Sequence, residues 1–391
     1  MIVRQRIVSF GIPALAIGAV ITAALLHRRE APRLVEAQTD VTNSIPSFAA
    51  KPASGKHQID VVFAVDTTGS MRELIDGAKR TVWSIATHIR NSDPDADLRI
   101  GMVAYRDINE VYVTKPFALT TDLDAVFTEL SSYTASGGGD TPEDLDAALY
   151  DALHMQWRQS AKKLVFVVGD APPATRGEVP AFDVSAKEAA GQGIIINTIR
   201  CGTAGDTAVA FQRIASLAGG EFSSIAQDGG VHQIATPYDD KLAELSATVD
   251  RTAVIIGDEG VHRGYADKMK AADAAPAAAK ADRATYYAKS AKPAKGGGWS
   301  GRTREDLVAG VATGSMTVEG VKTEELPSDM RGLNKDQLKV EVEKRAKERT
   351  EAQKAIADLS KKREEYITAH AKDGEGGFDA KVKATLEKQL K

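Results

Sequence analysis

Four near-continuous apolar runs recur between residues 57 and 200: IDVVFAV (Ile59–Val65), LRIGMVAY (Leu98–Tyr105), KLVFVVG (Lys163–Gly169) and GIIINTI (Gly193–Ile199). Runs without polar alternation are what strands look like when both faces of their sheet are covered. Apolar positions at helical spacing cover Glu73–Arg90, Leu123–Ser131, Glu143–Met155, Phe182–Gly191 and Ala208–Ala218. Buried strands alternating with helices predict an α/β fold with a doubly wound, mainly parallel sheet. Val111–Phe117 follows Tyr105 too closely for a helical crossover, which predicts one antiparallel edge strand. Glu221–Ile225 and a helix over Val231–Val249 would close this domain, set at residues 57–257.

Outside it the pattern changes. Residues 7–26 carry no charge, and as a helix at about 1.5 Å per residue they would just cross a ~30 Å hydrocarbon core. Residues 1–29 are therefore expected to be a membrane anchor, an N-terminal transmembrane helix. A cleaved signal sequence is the alternative, although His27, Arg28 and Arg29 follow where a small-residue cleavage site would be needed. The short N-terminal tail favours an orientation that exports the bulk of the chain, to a bacterial periplasm or cell surface. Residues 30–56 have no apolar period and read as a tether. The stretch 258–332, dominated by Ala, Lys and Gly over 271–298, reads as a linker with room for short helices; ADRATYYAKS in particular could form a helix laid against the main domain. In 333–391, Leu338, Val342, Ala352, Ile356, Leu359 and Tyr366 form a heptad-like stripe interrupted by Arg345, Arg349 and Arg363. That predicts a charged helical hairpin or a weakly specified coiled coil, and leaves oligomerisation open.

The whole chain has a formal charge of −4 over 391 residues, with no basic excess for neutralising phosphates, which argues against nucleic-acid binding. The average hides an asymmetry: residues 57–260 hold 16 basic and 30 acidic side chains, whereas 261–391 hold 27 and 21. The single cysteine, Cys201, excludes an internal disulfide framework and any multi-cysteine metal site, and reads as a buried small hydrophobe. Phosphate-loop and dinucleotide glycine motifs are missing, so nucleotide binding has no motif support.

In an open parallel sheet, sites form beyond the carboxyl ends of the strands. Three such places carry oxygen donors. Asp66-Thr67-Thr68-Gly69-Ser70-Met71 sets Asp66, Thr68 and Ser70 at alternate positions of a tight loop. Gly137-Gly138-Gly139-Asp140-Thr141-Pro142-Glu143-Asp144 leads into a helix, and Asp170 ends the run VVGDAPP. Hard oxygen donors without His or Cys suit Mg²⁺, Mn²⁺ or Ca²⁺. Each piece also has a bland reading: Asp66 or Ser70 as a helix cap, Thr141 with Glu143 as the next cap, Asp170 as a turn residue. Three such loops at three strand ends are harder to assign to capping.

DTTGS, with the order and spacing of the other two loops, resembles the D-x-[ST]-x-S motif of the von Willebrand factor A (VWA) domain family over about residues 57–250. The resemblance implies a Rossmann-like VWA fold and a metal-ion-dependent adhesion site (MIDAS). Asp66, Thr68 and Ser70 would be first-loop ligands and Asp170 the third-loop carboxylate. In the second loop Thr141 is favoured, because many members present a Thr there. The D-x-P-E run of Asp140 to Glu143 is similar to integrin beta-like members, which keeps Asp140 and Glu143 open as neighbours or as ligands of a second cation. AYRD (Ala104 to Asp107), GGGDTPED and VGDAPP together look like a bacterial subgroup with helical C-terminal regions. The expected function is a membrane-anchored adhesion or scaffold module, not an enzyme, whose cation accepts an Asp or Glu from a protein partner. Two alternatives stand beside it. DTTGS is similar to the DKTGT of haloacid-dehalogenase-like enzymes, which would make Asp66 the nucleophile of a Mg²⁺-dependent phosphatase. The metal could instead be structural and the helical tail the partner-binding part.

Overall fold

Gln58–Asp66 form the central strand β1, with eight of nine residues buried, as an apolar run paired on both sides requires. The computed structural model describes residues 57–93, 96–138, 142–174, 177–230, 234–290, 305–370 and 376–390. In chain order β1 is followed by α1 (Arg72–Ser92), β2 (Asp97–Tyr105), β3 (Thr114–Thr120), α2 (Leu123–Ser132) and α3 (Leu145–Leu153). Next come β4 (Lys162–Gly169), α4 (Phe182–Gly191), β5 (Ile194–Cys201), α5 (Gly205–Leu217), β6 (Phe222–Ile225) and α6 (Asp239–Arg251). The six strands stand in the order β3-β2-β1-β4-β5-β6, all parallel except β3, which runs antiparallel to β2.

Strand alternation divides the core. Ile59, Val61, Phe63 and Val65 of β1 face the layer of α1, α2 and α6, while Val62 and Ala64 face α3, α4 and α5. Three elements begin later than the apolar pattern suggests, each for a local reason. β3 starts at Thr114 instead of Val111 because the turn before it contains Asn109 with φ 65°, and Arg106 N–H closes that turn on Val113 O. α3 starts at Leu145 because the Asp144 carboxylate caps it, accepting from Ala147 N–H. α6 starts at Asp239 because Pro237 disfavours helix before it, and Asp239 pairs with the backbone and hydroxyl of Thr236.

The C-terminal part folds onto the same unit, Pro52–Lys391. It consists of α7 (Glu259–Ala274), α8 (Ala277–Ser290), α9 (Leu307–Thr313), α10 (Lys335–His370) and α11 (Phe378–Gln389). ADRATYYAKS lies in α8, which packs on α1 and α6; Trp83 of α1 meets the rings of Tyr286 and Tyr287 at 5.8 and 5.6 Å. α10 lies along α6, α8 and α9, and α11 packs on α1. A second, smaller core gathers Val254, Leu307, Val318, Leu326, Leu338 and Val342.

Two of the three arginines that interrupt the heptad-like stripe, Arg349 and Arg363, are turned inward, while half-buried Arg345 pairs with Glu341 on its own helix. Arg349 reaches Asp306 at 2.6 Å and Thr252 Oγ1 at 2.8 Å, and Arg363 reaches Asp239 at 2.7 Å and Asp282 at 2.6 Å. From α8, Arg283 reaches Asp124 at 2.7 Å and Asp250 at 2.8 Å. The stripe thus docks on the main domain, with each buried cation matched to an acid outside its own helix. The expected anchor and tether, 1–56, and the glycine-rich 291–304 lie outside the described residues. Among the described residues no helix is long and apolar enough to cross a membrane.

Candidate metal centre

At the carboxyl end of β1 the chain turns sharply through Thr67–Ser70. Asp66 and Thr67 are fully buried, Thr68 nearly so, and Ser70 is exposed, so the loop climbs from core to solvent within five residues. Asp66 Oδ1 accepts from Thr68 N–H at 2.8 Å and from Thr68 Oγ1 at 2.6 Å; Thr68 Oγ1 and Ser70 Oγ are 3.3 Å apart. Neither Asp66 nor Ser70 caps a helix: α1 begins after Met71 with no side-chain cap, and the short turn Gly69–Met71 has none either. Capping does not account for these residues.

The second loop lies against the first. Gly69 N–H donates to Gly137 O at 3.2 Å, and Ser136 N–H to Thr67 O at 3.3 Å. Gly138, with φ 80°, comes so near that a Cβ on it would stand 3.0 Å from Thr68 Cβ. Its N–H donates to Glu110 Oε1 at 2.8 Å. Farther along, Glu143 N–H donates to Pro172 O at 3.1 Å and Ala174 N–H to Glu143 O at 2.7 Å, which joins the second loop to the third. Asp140 and Thr141 lie outside the described residues. The cap that the bland reading gave to Thr141 and Glu143 is made by Asp144.

Asp170 follows β4 and is half-buried. Gly169, just before it, is another close approach: a Cβ there would stand 2.4 Å from Tyr105 Oη and 3.3 Å from Asp66 Cβ. The four described candidates Asp66, Thr68, Ser70 and Asp170 are thus brought to one place, with Glu143 joining them.

Electrostatics mark the place out. Burial pushes the Asp66 carboxyl up to about 7; the Thr68 bonds work against this and Asp170 adds to it. Burial also pushes Glu143 up to about 8, reinforced by Asp66, Asp107 and Asp170. Asp66 Oδ2 and Glu143 Oε2 are buried without a hydrogen-bond partner, which is costly unless something positive is met there. Among the described residues no three His, Cys, Asp or Glu side chains gather as a ready ligand set, so hydroxyls would have to complete any cation's shell. Hydroxyl and carboxylate oxygens, two of them orphaned, fit a hard divalent cation.

The family model of the von Willebrand factor A domain matches residues 60–235. Those residues form a von Willebrand factor A domain. Domains of this family are, in general, metal-dependent protein-interaction modules. The alpha-protein kinase vwkA of Dictyostelium discoideum is 28% identical over 117 residues, 29% of this chain and 18% of the kinase, so the chain spans less than a fifth of that relative. Among solved structures, the SpRpn10 VWA domain is 15% identical, with TM-score 0.34, covering 43% of this chain and 88% of that one. Proximal thread matrix protein 1 from the mussel byssus, with a zinc-occupied MIDAS motif, is 20% identical, with TM-score 0.36, covering 44% and 42%.

Several residues at the site escape a reading by motif. Gln227, from the loop after β6, donates to Asp170 Oδ2 at 2.7 Å. Arg106 is buried against the Tyr112 ring, 4.5 Å from its centroid, and donates to Thr67 Oγ1 and Thr134 O. Glu110 reaches across from the β2–β3 turn. AYRD pointed to Arg106 as part of a motif, but Gln227 and Glu110 lie in stretches without any pattern.

Proposed function

We propose that this chain is a membrane-anchored, exported binding module whose A domain captures a protein partner presenting an Asp or Glu through a divalent cation. Asp66, Thr68, Ser70 and Asp170 would hold the cation, with Glu143 or Thr141 from the second loop; Mg²⁺ is the expected ion, with Mn²⁺ or Ca²⁺ as substitutes. When bound, the cation supplies a Lewis-acidic positive centre that a partner carboxylate can join. The residues of the chain do the rest. Thr68 fixes Asp66 Oδ1 through two hydrogen bonds, while Oδ2 is left buried without one. The glycines of the second loop bring it within van der Waals reach of Thr68. Ser70, exposed, marks the solvent side from which a partner would approach.

The observation that carries this reading is the pair of orphaned buried oxygens, Asp66 Oδ2 and Glu143 Oε2. Calorimetric titration of the chelator-treated protein with Mg²⁺ and Mn²⁺ tests it, together with crosslinking pulldown from membranes with and without chelator. Saturable binding lost in Asp66→Ala, and cation-dependent capture, support the reading. Asp66→Ala and Asp170→Ala variants that bind as tightly as wild type would overturn it. The anchor rests on the uncharged run at 7–26. It predicts retention in the membrane fraction after alkaline washing, whereas a soluble chain beginning near residue 30 would refute it.

A further inference from the structure

We infer that Gln227 is a positioning residue of the cation site and that α11, from the far C-terminal end, determines where it stands. This rests on the cation-binding reading proposed above. Gln227 is exposed, yet it touches two site loops: Nε2 donates to Asp170 Oδ2 at 2.7 Å and to Ser70 O at 3.3 Å. Its Oε1 lies where a Cβ on Gly202 would be 2.2 Å away, and Gly202 has φ 72°, so this glycine makes the room the amide occupies. A neutral amide orients the Asp170 carboxylate without cancelling its charge. Lysine or arginine in the same place would orient it and neutralise it, at the expense of a cation.

Two residues on, the loop is fastened to α11. Gly229 O accepts from Phe378 N–H at 2.8 Å. Gly377 comes so close that a Cβ on it would stand 2.0 Å from Gly230 O and 2.7 Å from Gly229 O, while Gly229, with φ 81°, backs onto Leu74 of α1. Only a backbone without side chains passes there. Phe378 then enters the core against Phe63, ring centroids 6.3 Å apart, and Phe63 stacks on Phe166 at 5.4 Å. Phe63 and Phe166 lie three and four residues before Asp66 and Asp170, on the two strands that carry those acids. The other end of α11 is held by Gln389, which exchanges two amide hydrogen bonds with buried Asn197, and by Lys388 on Glu221. The helix is therefore clamped at both ends and bears on the loop of Gln227 and on the site strands together. Loosening its first turn releases the loop, and by linkage a cation that needs Asp170 in place must tighten that turn.

The test uses the full chain with Gln227→Ala and Gly377→Ala, Mg²⁺ affinity by calorimetry, metal-free melting, and amide exchange over residues 378–386. Gln227→Ala is expected to weaken Mg²⁺ about tenfold with the metal-free melting temperature unchanged, a split that a merely structural residue would not produce. Gly377→Ala should weaken Mg²⁺ several-fold and speed exchange in α11. In wild type Mg²⁺ should slow that exchange, and in Gln227→Ala slow it less. If wild type binds Mg²⁺ but Gln227→Ala binds equally tightly and α11 exchange ignores the cation, the inference is overturned and the site reading stands. If wild type binds no cation, both fall. Should Gly377→Ala fail to fold, Gln227→Ala and the wild-type exchange comparison still decide.

Discussion

Two aspartates on β1, Asp60 and Asp66, are both fully buried, point to the same face of the sheet and meet opposite treatment. Asp60, at the amino end, receives Arg99 at 2.6 Å and Arg158 at 2.6 Å, with a further bond from Arg158 N–H. Burial pushes its carboxyl up, but the two guanidinium groups outweigh burial and hold it below its ordinary value. Asp66, at the carboxyl end, has hydroxyl and amide donors on one oxygen and nothing on the other. The C-terminal helices follow the rule of Asp60: Asp124, Asp239 and Asp306 each have an arginine. The fold supplies arginines to buried carboxylates at Asp60, Asp124, Asp239 and Asp306, whereas Asp66 and Glu143 each keep a buried oxygen without a hydrogen bond, the contrast on which the proposed cation site rests.

The comparison can be broken most severely at the arginines. Arg283→Leu, which takes the guanidinium away from Asp124 and Asp250, is expected to cost about 3–5 kcal/mol in urea unfolding. A cost below about 1 kcal/mol would show that these clusters are not the clamp between the C-terminal helices and the A domain. Next, Asp60→Asn and Asp66→Asn should diverge in chelator at pH 7.5. The first should lose about 3 kcal/mol because Arg99 and Arg158 lose the buried carboxylate between them, Arg158 keeping only the more exposed Asp97. The second should melt at the wild-type temperature or above it, while its Mg²⁺ affinity falls about a hundredfold or more. Equal destabilisation by both would erase the distinction drawn here.

The same pair should titrate with opposite sign. Raised values at Asp66 and Glu143 mean that the folded chain holds those protons more tightly than the unfolded chain. Their stability contribution is greatest below about pH 4 and is lost as pH rises through about 7 and 8. The lowered value at Asp60 gives stability present above about pH 4 and lost as pH falls below it. Metal-free melting should therefore decline by several degrees between pH 5.5 and 8.5. Asp66→Asn should flatten that decline, and Asp60→Asn should flatten only the acid limb. A decline unchanged in Asp66→Asn would assign it elsewhere. The smallest effect is expected at Cys201, buried at the end of β5: Cys201→Ala should cost about 1 kcal/mol and leave Mg²⁺ affinity unchanged, by calorimetry beside wild type.

Much of this molecule was legible from residue pattern. IDVVFAV, LRIGMVAY, KLVFVVG and GIIINTI each became a central strand because a run with no polar alternation can be satisfied only between two helix layers. The short gap after Tyr105 fixed the antiparallel direction of β3, since no helix fits in it. Asp66, Thr68, Ser70 and Asp170 could be named as candidates because they stand where strand ends must open onto a shared crevice.

Tertiary structure alone decided which acids would be neutralised. Arg283, Arg349 and Arg363 look like solvated charges on amphipathic helices, and the stripe that contains Arg349 and Arg363 reads as a poor coiled coil. Their meaning lies in Asp124, Asp306 and Asp239, which sit 159, 43 and 124 residues away in sequence. The same holds for Gln227 and the glycine contact of Gly377 with Gly230. Periodicity reports the face a residue turns to its own element, a local property fixed by backbone geometry. Charge pairing and close backbone approach depend on which distant segment arrives at that face, and that is known only when the chain has folded.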